Sequence, residues 1–278
     1  MRFVLTVLLW LVTTIALAAA VPAAWVQRYI VDVDGYASLA QSAARDPALQ
    51  DAMASELTTQ VLAITRRGGY AVSVGMVGGI ASRYTAGPSF PGQFAQANRI
   101  AHQWLFISPA RQNADSWVVD LAPMLSDHSF QRLLNSLDIQ LPAQVPVPVA
   151  VTGNLRPGQL HPLATWGPWA SIGFAVLTGI LALLTLASAR RRGKAIAALG
   201  VSALLVGGGG WAALEAARGR INETLNHTSG DMRRIAEVMV AHAENSMHQW
   251  LNLTLAAGGV LVVFGIIVTV IGGLRRNV

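Results

Sequence analysis

Arg99, His102 and Asp120 are the residues whose types and spacing come closest to a chemical site. Arg99 and His102 are three positions apart in a segment with helical periodicity, so they lie on one face of the predicted helix. Asp120 ends a predicted strand, and a guanidinium, an imidazole and a carboxylate together could line a polar pocket. The alternative is a hydrogen-bonded network that holds the helix to the strand, and we favour this structural interpretation.

Other groupings of ionisable residues are less suited to chemistry. His242, Glu244 and His248 are spaced i, i+2, i+6, which does not bring three metal ligands to one helix face. The serines near Asp127 and His128 lack a Gly-x-Ser-x-Gly elbow. The chain contains no cysteine, so thiolate nucleophiles and thiolate metal ligands are excluded. We therefore predict no catalytic residue, no metal ion and no cofactor, and hence a protein that is not an enzyme.

Four apolar runs dominate the rest of the chain and predict a membrane protein. They cover 3–24, 169–189, 195–214 and 251–274. Each has roughly the 20 residues that a helix needs to cross a hydrocarbon core of about 30 Å. Trp166, Trp169 and Trp250 fall at the predicted outer boundaries, where an aromatic belt is expected.

Basic residues set the predicted orientation of these spans. A basic cluster at 190–194 separates the second run from the third, and cytoplasmic loops carry an excess of Lys and Arg. With the two termini, the predicted cytoplasmic pieces hold seven basic residues and no acidic one, whereas 25–168 and 217–249 are balanced in charge. The net charge of +6 is therefore an orientation signal, and we expect no binding to nucleic acid.

The predicted organisation follows from these spans. In chain order it comprises a transmembrane signal anchor over 1–25, an exported domain over 26–165, a second span over 166–189, a cytoplasmic loop over 190–194, a third span over 195–216, an extracytoplasmic helical hairpin over 217–249, a fourth span over 250–274 and a cytoplasmic tail over 275–278. Small residues at 16–20 also resemble a signal-peptide cleavage region, but the first apolar run is longer than a signal core of about 7–15 residues. We expect an uncleaved, multi-pass protein of the bacterial plasma membrane with both termini in the cytoplasm.

The exported segment is predicted to be an α+β domain within a chain that is otherwise mainly α. Helices are predicted over 34–44, 46–62 and 91–106, with a glycine- and proline-rich loop region up to about residue 92. Strand-forming residues predict a short strand at 116–121 and an edge or extended segment at 145–151.

An apolar stripe marks the predicted hairpin between the third and fourth spans. Its members recur at heptad-like spacing and are Ile221, Leu225, Met232, Ile235 and Met239. Polar neighbours place the stripe in water, so it must be covered by the other arm of the hairpin, by the exported domain or by a second chain. We expect a protein partner or self-association through this stripe, besides contact with the lipid bilayer.

Glycines predict close packing of the third and fourth spans. The run 207–210 costs a helix about 1 kcal/mol per glycine relative to alanine, and Gly258 and Gly259 lie at a comparable depth. Small residues let transmembrane helices approach closely, and we favour this over broken helices that form a transport site. A small transporter or channel component that uses these two spans is the alternative function.

Several short motifs resemble those of one membrane family. They are DVDGY at 32–36, DPALQDA at 46–52, NRIAH at 98–102 and VVDLAP at 118–123. With the Arg-rich turn between spans, they resemble a family of uncharacterised actinobacterial integral membrane proteins with an exported domain after the first span. The resemblance covers residues 1 to about 215 and implies a topology but no activity. We expect a non-enzymatic cell-envelope protein that binds or scaffolds other envelope components through its exported domain and hairpin.

Overall fold

A computed structural model describes residues 2–67, 69, 71–106, 118–120, 128, 131–132, 135, 146–148, 158–225 and 230–274. The helices are α1 (Arg2–Val26), α2 (Val33–Ala43), α3 (Pro47–Arg67), α4 (Val74–Thr85), α5 (Phe90–Phe106), α6 (His161–Ser188), α7 (Arg192–Leu225) and α8 (Gly230–Leu274). A π-helical turn, Gln27–Val31, follows α1, and the strands are β1 (Val118–Asp120) and β2 (Pro146–Pro148).

The chain forms two compact units. The first contains Met1–Arg28, Thr165–Gly219 and Glu244–Val278, and the second contains Tyr29–Ala164 and Arg220–Ala243. Helices α7 and α8 each contribute residues to both units.

Among the residues that the structure describes, four helices are long and apolar enough to cross a membrane. The candidate spans are Val4–Val31, His161–Ser188, Arg192–Arg220 and Gly230–Gly272. This finding confirms, on length and composition, the prediction of a multi-pass membrane protein. The helices extend beyond the apolar runs, because α6 begins at His161 with Pro168 inside it and α8 continues for 45 residues.

Side chains of α1 hydrogen-bond to each of the other three spanning helices. The pairs are Thr13 with Thr185 on α6, Thr14 with Ser202 on α7, and Trp25 with Ser246 on α8. Bonds of this kind are worth about 0.6–2 kcal/mol each between transmembrane helices. Thr13 is only 2% exposed, so α1 is packed into the first unit by a polar as well as an apolar face.

Glycines bring α7 and α8 into close antiparallel contact. Gly193, Gly200 and Gly207 are seven residues apart on α7, and Gly258 and Gly265 are seven apart on α8. A Cβ atom added at Gly200 would lie 2.7 Å from the carbonyl oxygen of Gly258, and one added at Gly258 would lie 2.8 Å from that of Gly200. The two backbones therefore touch where no side chain intervenes.

The contact does not use the glycines that the sequence singled out as a run. Nothing lies within 4 Å of a Cβ added at Gly208, Gly209 or Gly259, whereas Gly207 and Gly210 face leucines of α8. Consecutive helical residues point about 100° apart, so a run of four glycines cannot all face one neighbour. Close packing of the two helices is present, but Gly208, Gly209 and Gly259 take no part in it.

The second unit begins with two capped helices. The Asp32 carboxylate accepts a hydrogen bond from the Gly35 amide at the start of α2. At the start of α3, the carboxylate of Asp46 accepts one from the Ala48 amide. Each bond satisfies an orphan donor of a first helical turn. The cap of α2 is thus Asp32, and Asp34 lies in the first turn of the helix.

The core of the second unit is built from small and branched apolar side chains of α2 to α5. Its fully buried members include Leu49, Leu57, Val77 and Phe90. Helix α2 packs on α5, and α3 packs on α4. Helix α4 occupies the region that its glycines predicted to be a loop, because Val77, Ala81 and Tyr84 recur on one face and bury it.

The expected α+β architecture of this unit is wrong. Its described residues are overwhelmingly helical, and the two strands pair only Val118–Asp120 with Pro146–Pro148. Three residues a strand provide no sheet layer on which helices could pack. The pairing falls within the segments that were predicted to be β-prone. The prolines of β2 lack the amide donors that further strands would need. The core is therefore formed by helices packed on helices.

Candidate functional site

Arg99 pairs with an aspartate that sequence reasoning did not assign to it. Its guanidinium lies 2.7 Å from the carboxylate of Asp34 and 3.1 Å from the side-chain oxygen of Gln96. The two charged side chains are 36% and 75% exposed, so water screens the pair and its contribution to stability is small. Arg99 therefore links α5 to α2 at the surface. The two partners are 65 residues apart in the chain, so local spacing could not predict this ion pair.

His102 is buried and faces the interior of the second unit. Its Nε2 lies 2.8 Å from the carbonyl oxygen of Ile30, in the π-helical turn, and must donate a proton to it. The ring stacks on Phe106 with centroids 4.1 Å apart and lies 5.0 Å from the ring of Tyr36. His102 thus links α5 to the segment before α2.

Burial sets the ionisation of this cluster. Desolvation lowers the pKa of His102 below its usual value, and it outweighs the opposing effects of the Ile30 hydrogen bond and the Asp32 charge. Desolvation likewise raises the pKa of Tyr36. Both rings are therefore held in their neutral forms, as packing elements require.

The pH dependence of stability follows from the lowered pKa of His102. The unfolded chain binds a proton near pH 6.5, whereas the folded domain binds it only at lower pH. We expect the thermal unfolding temperature to fall as the pH drops below about 6.5. His102→Gln, which cannot titrate in this range, should flatten the profile between pH 7.5 and 5.5. A variant whose profile keeps the parental slope would show that another group causes the loss.

Asp120 lies in β1, a strand that contacts α5. The helix and the strand of the predicted pocket are thus neighbours in the fold. The side chain of Asp120 is outside what the structure describes, so the joint site of Arg99, His102 and Asp120 stays a prediction. What the structure shows for Arg99 and His102 is that both are engaged by other groups, at the surface and in the core respectively.

The second half of the apolar stripe is covered by the chain's own core. Ile235 is 7% exposed and belongs to the apolar cluster of α3, α4 and α5. Met232 and Met239 are partly buried against the same cluster. The side chains of Ile221 and Leu225 lie outside the described residues. Of the three covers that the sequence allowed, the domain after the first span is the one that contacts this half.

Charged residues form a short network between α7 and α8. Arg218 lies 2.8 Å from Glu215, three residues earlier on the same helix, and 3.0 Å from Glu244. Sequence reasoning missed the pairing with Glu244, because Glu244 and Arg218 lie on different helices. An acidic residue close to an apolar run was the signal that could have indicated it. One turn further along α8, His248 is buried with its ring 3.8 Å from that of Trp211.

The charged residues do not form a metal centre in the part of the chain that the structure describes. No three histidine, aspartate or glutamate residues there are grouped so as to hold a metal ion. His242 bonds through Nδ1 to the carbonyl oxygen of Val238, and the ring of His248 lies against that of Trp211, so each histidine has a different neighbour.

Comparison with known proteins adds no relative to this description. Protein-family models, curated proteins and solved structures yield no match to the chain. Function must therefore be argued from the residues and their geometry.

Proposed function

We propose that the protein is a non-enzymatic integral membrane protein of the bacterial cell envelope, whose helical domain binds another envelope protein. One observation carries the choice of surface. Helix α4 buries Val77 and Ala81 in the core, yet its first turn leaves Val74 59% and Met76 53% exposed. The two side chains flank Gly75 at the same end of the helix, and exposed apolar side chains are a feature of protein contact sites.

The hairpin has a different role in this proposal from the one expected of it. Because Ile235, Met232 and Met239 pack on the core of the second unit, they attach α8 to the domain and are not available to another chain. We assign partner binding to the start of α4 and assign the stripe to assembly of the domain itself.

The transporter alternative receives little support from the spanning helices. The hydroxyl groups of Thr13, Thr178, Ser202 and Thr254 each donate to a carbonyl oxygen one turn earlier in their own helix. Because these hydroxyl groups already donate within their own helices, they are poorly placed to coordinate a polar substrate or to relay it across the bilayer.

Photocrosslinking tests the proposed contact surface. A photoreactive amino acid at Met76 should give a discrete crosslinked product in living cells, because this side chain is exposed and apolar. Ser82, which is exposed on the same helix, is the matched control and should give little product. If the two positions crosslink equally or not at all, the start of α4 is not the binding surface.

The orientation belongs to the same proposal and has its own test. We place the segment 190–194 in the cytoplasm and the second unit outside, on the strength of the basic cluster. The chain lacks cysteine, so single cysteines report cleanly. In intact cells an impermeant thiol reagent should label Ser89→Cys and spare Lys194→Cys, both exposed positions. Labelling at 194 before lysis would contradict this orientation. Gly193 is unsuitable, since its Cβ would collide with the α8 backbone.

A further inference from the structure

A groove of about 530 Å³ lies among the four spanning helices. Each helix contributes to its wall, through Thr13 of α1, Thr178 of α6, Ser202 of α7 and Thr254 of α8. Its floor is deep, because Thr13 and Ser202 are 2% and 1% exposed, whereas Leu253 at its mouth is 68% exposed. The groove is thus an indentation that opens sideways, on a surface of the bundle that faces lipid.

The chemistry of the wall selects an apolar occupant. The hydroxyls of Thr13, Thr178 and Thr254 donate to carbonyl oxygens within their own helices. Ser202 does the same and also bonds to Thr14. With these donors satisfied, the groove presents methyl, methylene and indole surface. Its volume lies within the range of about 300–1,000 Å³ that is usual for ligand sites.

The length of the groove matches one chain of a lipid leaflet. Along α8 it runs from Trp250 to Leu261, which is about 16 Å at 1.5 Å per residue. Half of a hydrocarbon core of about 30 Å is nearly the same length. Trp250 stands at one end, and tryptophan marks the level of the headgroups in membrane proteins.

We propose that this groove binds one acyl chain of a phospholipid, with the headgroup beside Trp250 and the chain end near Leu261. Hydrocarbon chains surround the mouth of the groove in the bilayer, so a chain can enter sideways. It would fill the space that side chains of all four helices line, and it would thereby become part of the packing of the bundle.

A matched pair of substitutions tests the site. Both Ala257 and its neighbour Ala256 are exposed, but only Ala257 lines the groove. Native mass spectrometry of the full chain in mild detergent, with added palmitoyl-oleoyl phosphatidylglycerol, should detect one retained lipid on the parent and on Ala256→Phe. Ala257→Phe should reduce that occupancy at least tenfold. Equal retention by Ala257→Phe and the parent, or no retained lipid on the parent, would overturn the proposal.

A second measurement needs no variant and so does not depend on correct folding of Ala257→Phe. Phosphatidylglycerol with a photoreactive group at the end of one acyl chain is reconstituted in vesicles with the unmodified protein. The expected label lies in 257–261 and the facing part of α1, at least fivefold above the exposed surface around Leu183 on α6. Uniform labelling of all lipid-facing surfaces would mean that only annular lipid is present and would refute a bound chain.

Discussion

Gly200→Leu should destabilise the protein by about 3 kcal/mol or more. A Cβ at this position would lie 2.7 Å from the carbonyl oxygen of Gly258 and from the amide nitrogen of Val262. Overpacking usually costs about 1–3 kcal/mol when side chains can yield. Here the obstacle is backbone, which cannot rotate away, so α7 and α8 must separate along their contact. The measurement is thermal unfolding of the purified protein in a mild detergent, together with the yield of folded protein.

Gly208→Leu is the matched control for this experiment. It introduces the same side chain into the same helix, at a position where nothing lies within 4 Å of an added Cβ. The unfolding temperature should stay near that of the parent or rise slightly, since leucine favours a helix more than glycine by roughly 1 kcal/mol. Equal tolerance at both positions would mean that α7 and α8 are not in close contact.

These glycines show how far sequence reasoning reached in the membrane unit. Small residues on two neighbouring spans predicted close approach, and the approach is present. The run 207–210 indicated the right helices but not the residues in contact. The contact follows the seven-residue spacing of Gly193, Gly200 and Gly207. Spacing identifies the face that packs against a neighbouring helix, and the count of glycines does not.

In the second unit, local sequence patterns predicted helix starts and buried helix faces, but they did not predict structure that depends on tertiary packing. The Asp46-Pro47 helix start and the buried face of Leu49, Met53 and Leu57 follow from propensity and periodicity, which act within one or two turns. Helix α4 was missed because its glycines resemble a loop, although tertiary burial of Val77 and Ala81 stabilises it.

The candidate site was only partly predictable for the same reason. Arg99 and His102 do share the helix α5, as their spacing indicated. Their partners, Asp34 and Ile30, are 65 and 72 residues away, and no local pattern announces them. Arg99 is partly exposed whereas His102 is buried, although their spacing places both on one face of the same helix.

Ile235→Asp should unfold the second unit, at a cost of about 4 kcal/mol or more. Loss of a buried isoleucine side chain alone costs about 2–5 kcal/mol. The new carboxylate would in addition be placed in an apolar cluster that contains Val77 and Leu57, where a charged group loses its hydration. Since domains of this size have only about 5–15 kcal/mol of stability in total, the loss is a large fraction of it.

Limited proteolysis of the membrane-bound protein measures this effect, because an unfolded unit is cut where a folded one resists. Arg234→Asp is the matched control: it places an aspartate one position earlier on α8, where the side chain is exposed, and should leave the digestion pattern unchanged.

The comparison also separates two roles of the stripe. If Ile235→Asp stays protease-resistant but loses the crosslinked product formed from Met76, then Ile235 contacts the partner directly. If it becomes protease-sensitive and loses that product together with its fold, the stripe acts by holding α8 to the domain, as the buried position of Ile235 requires.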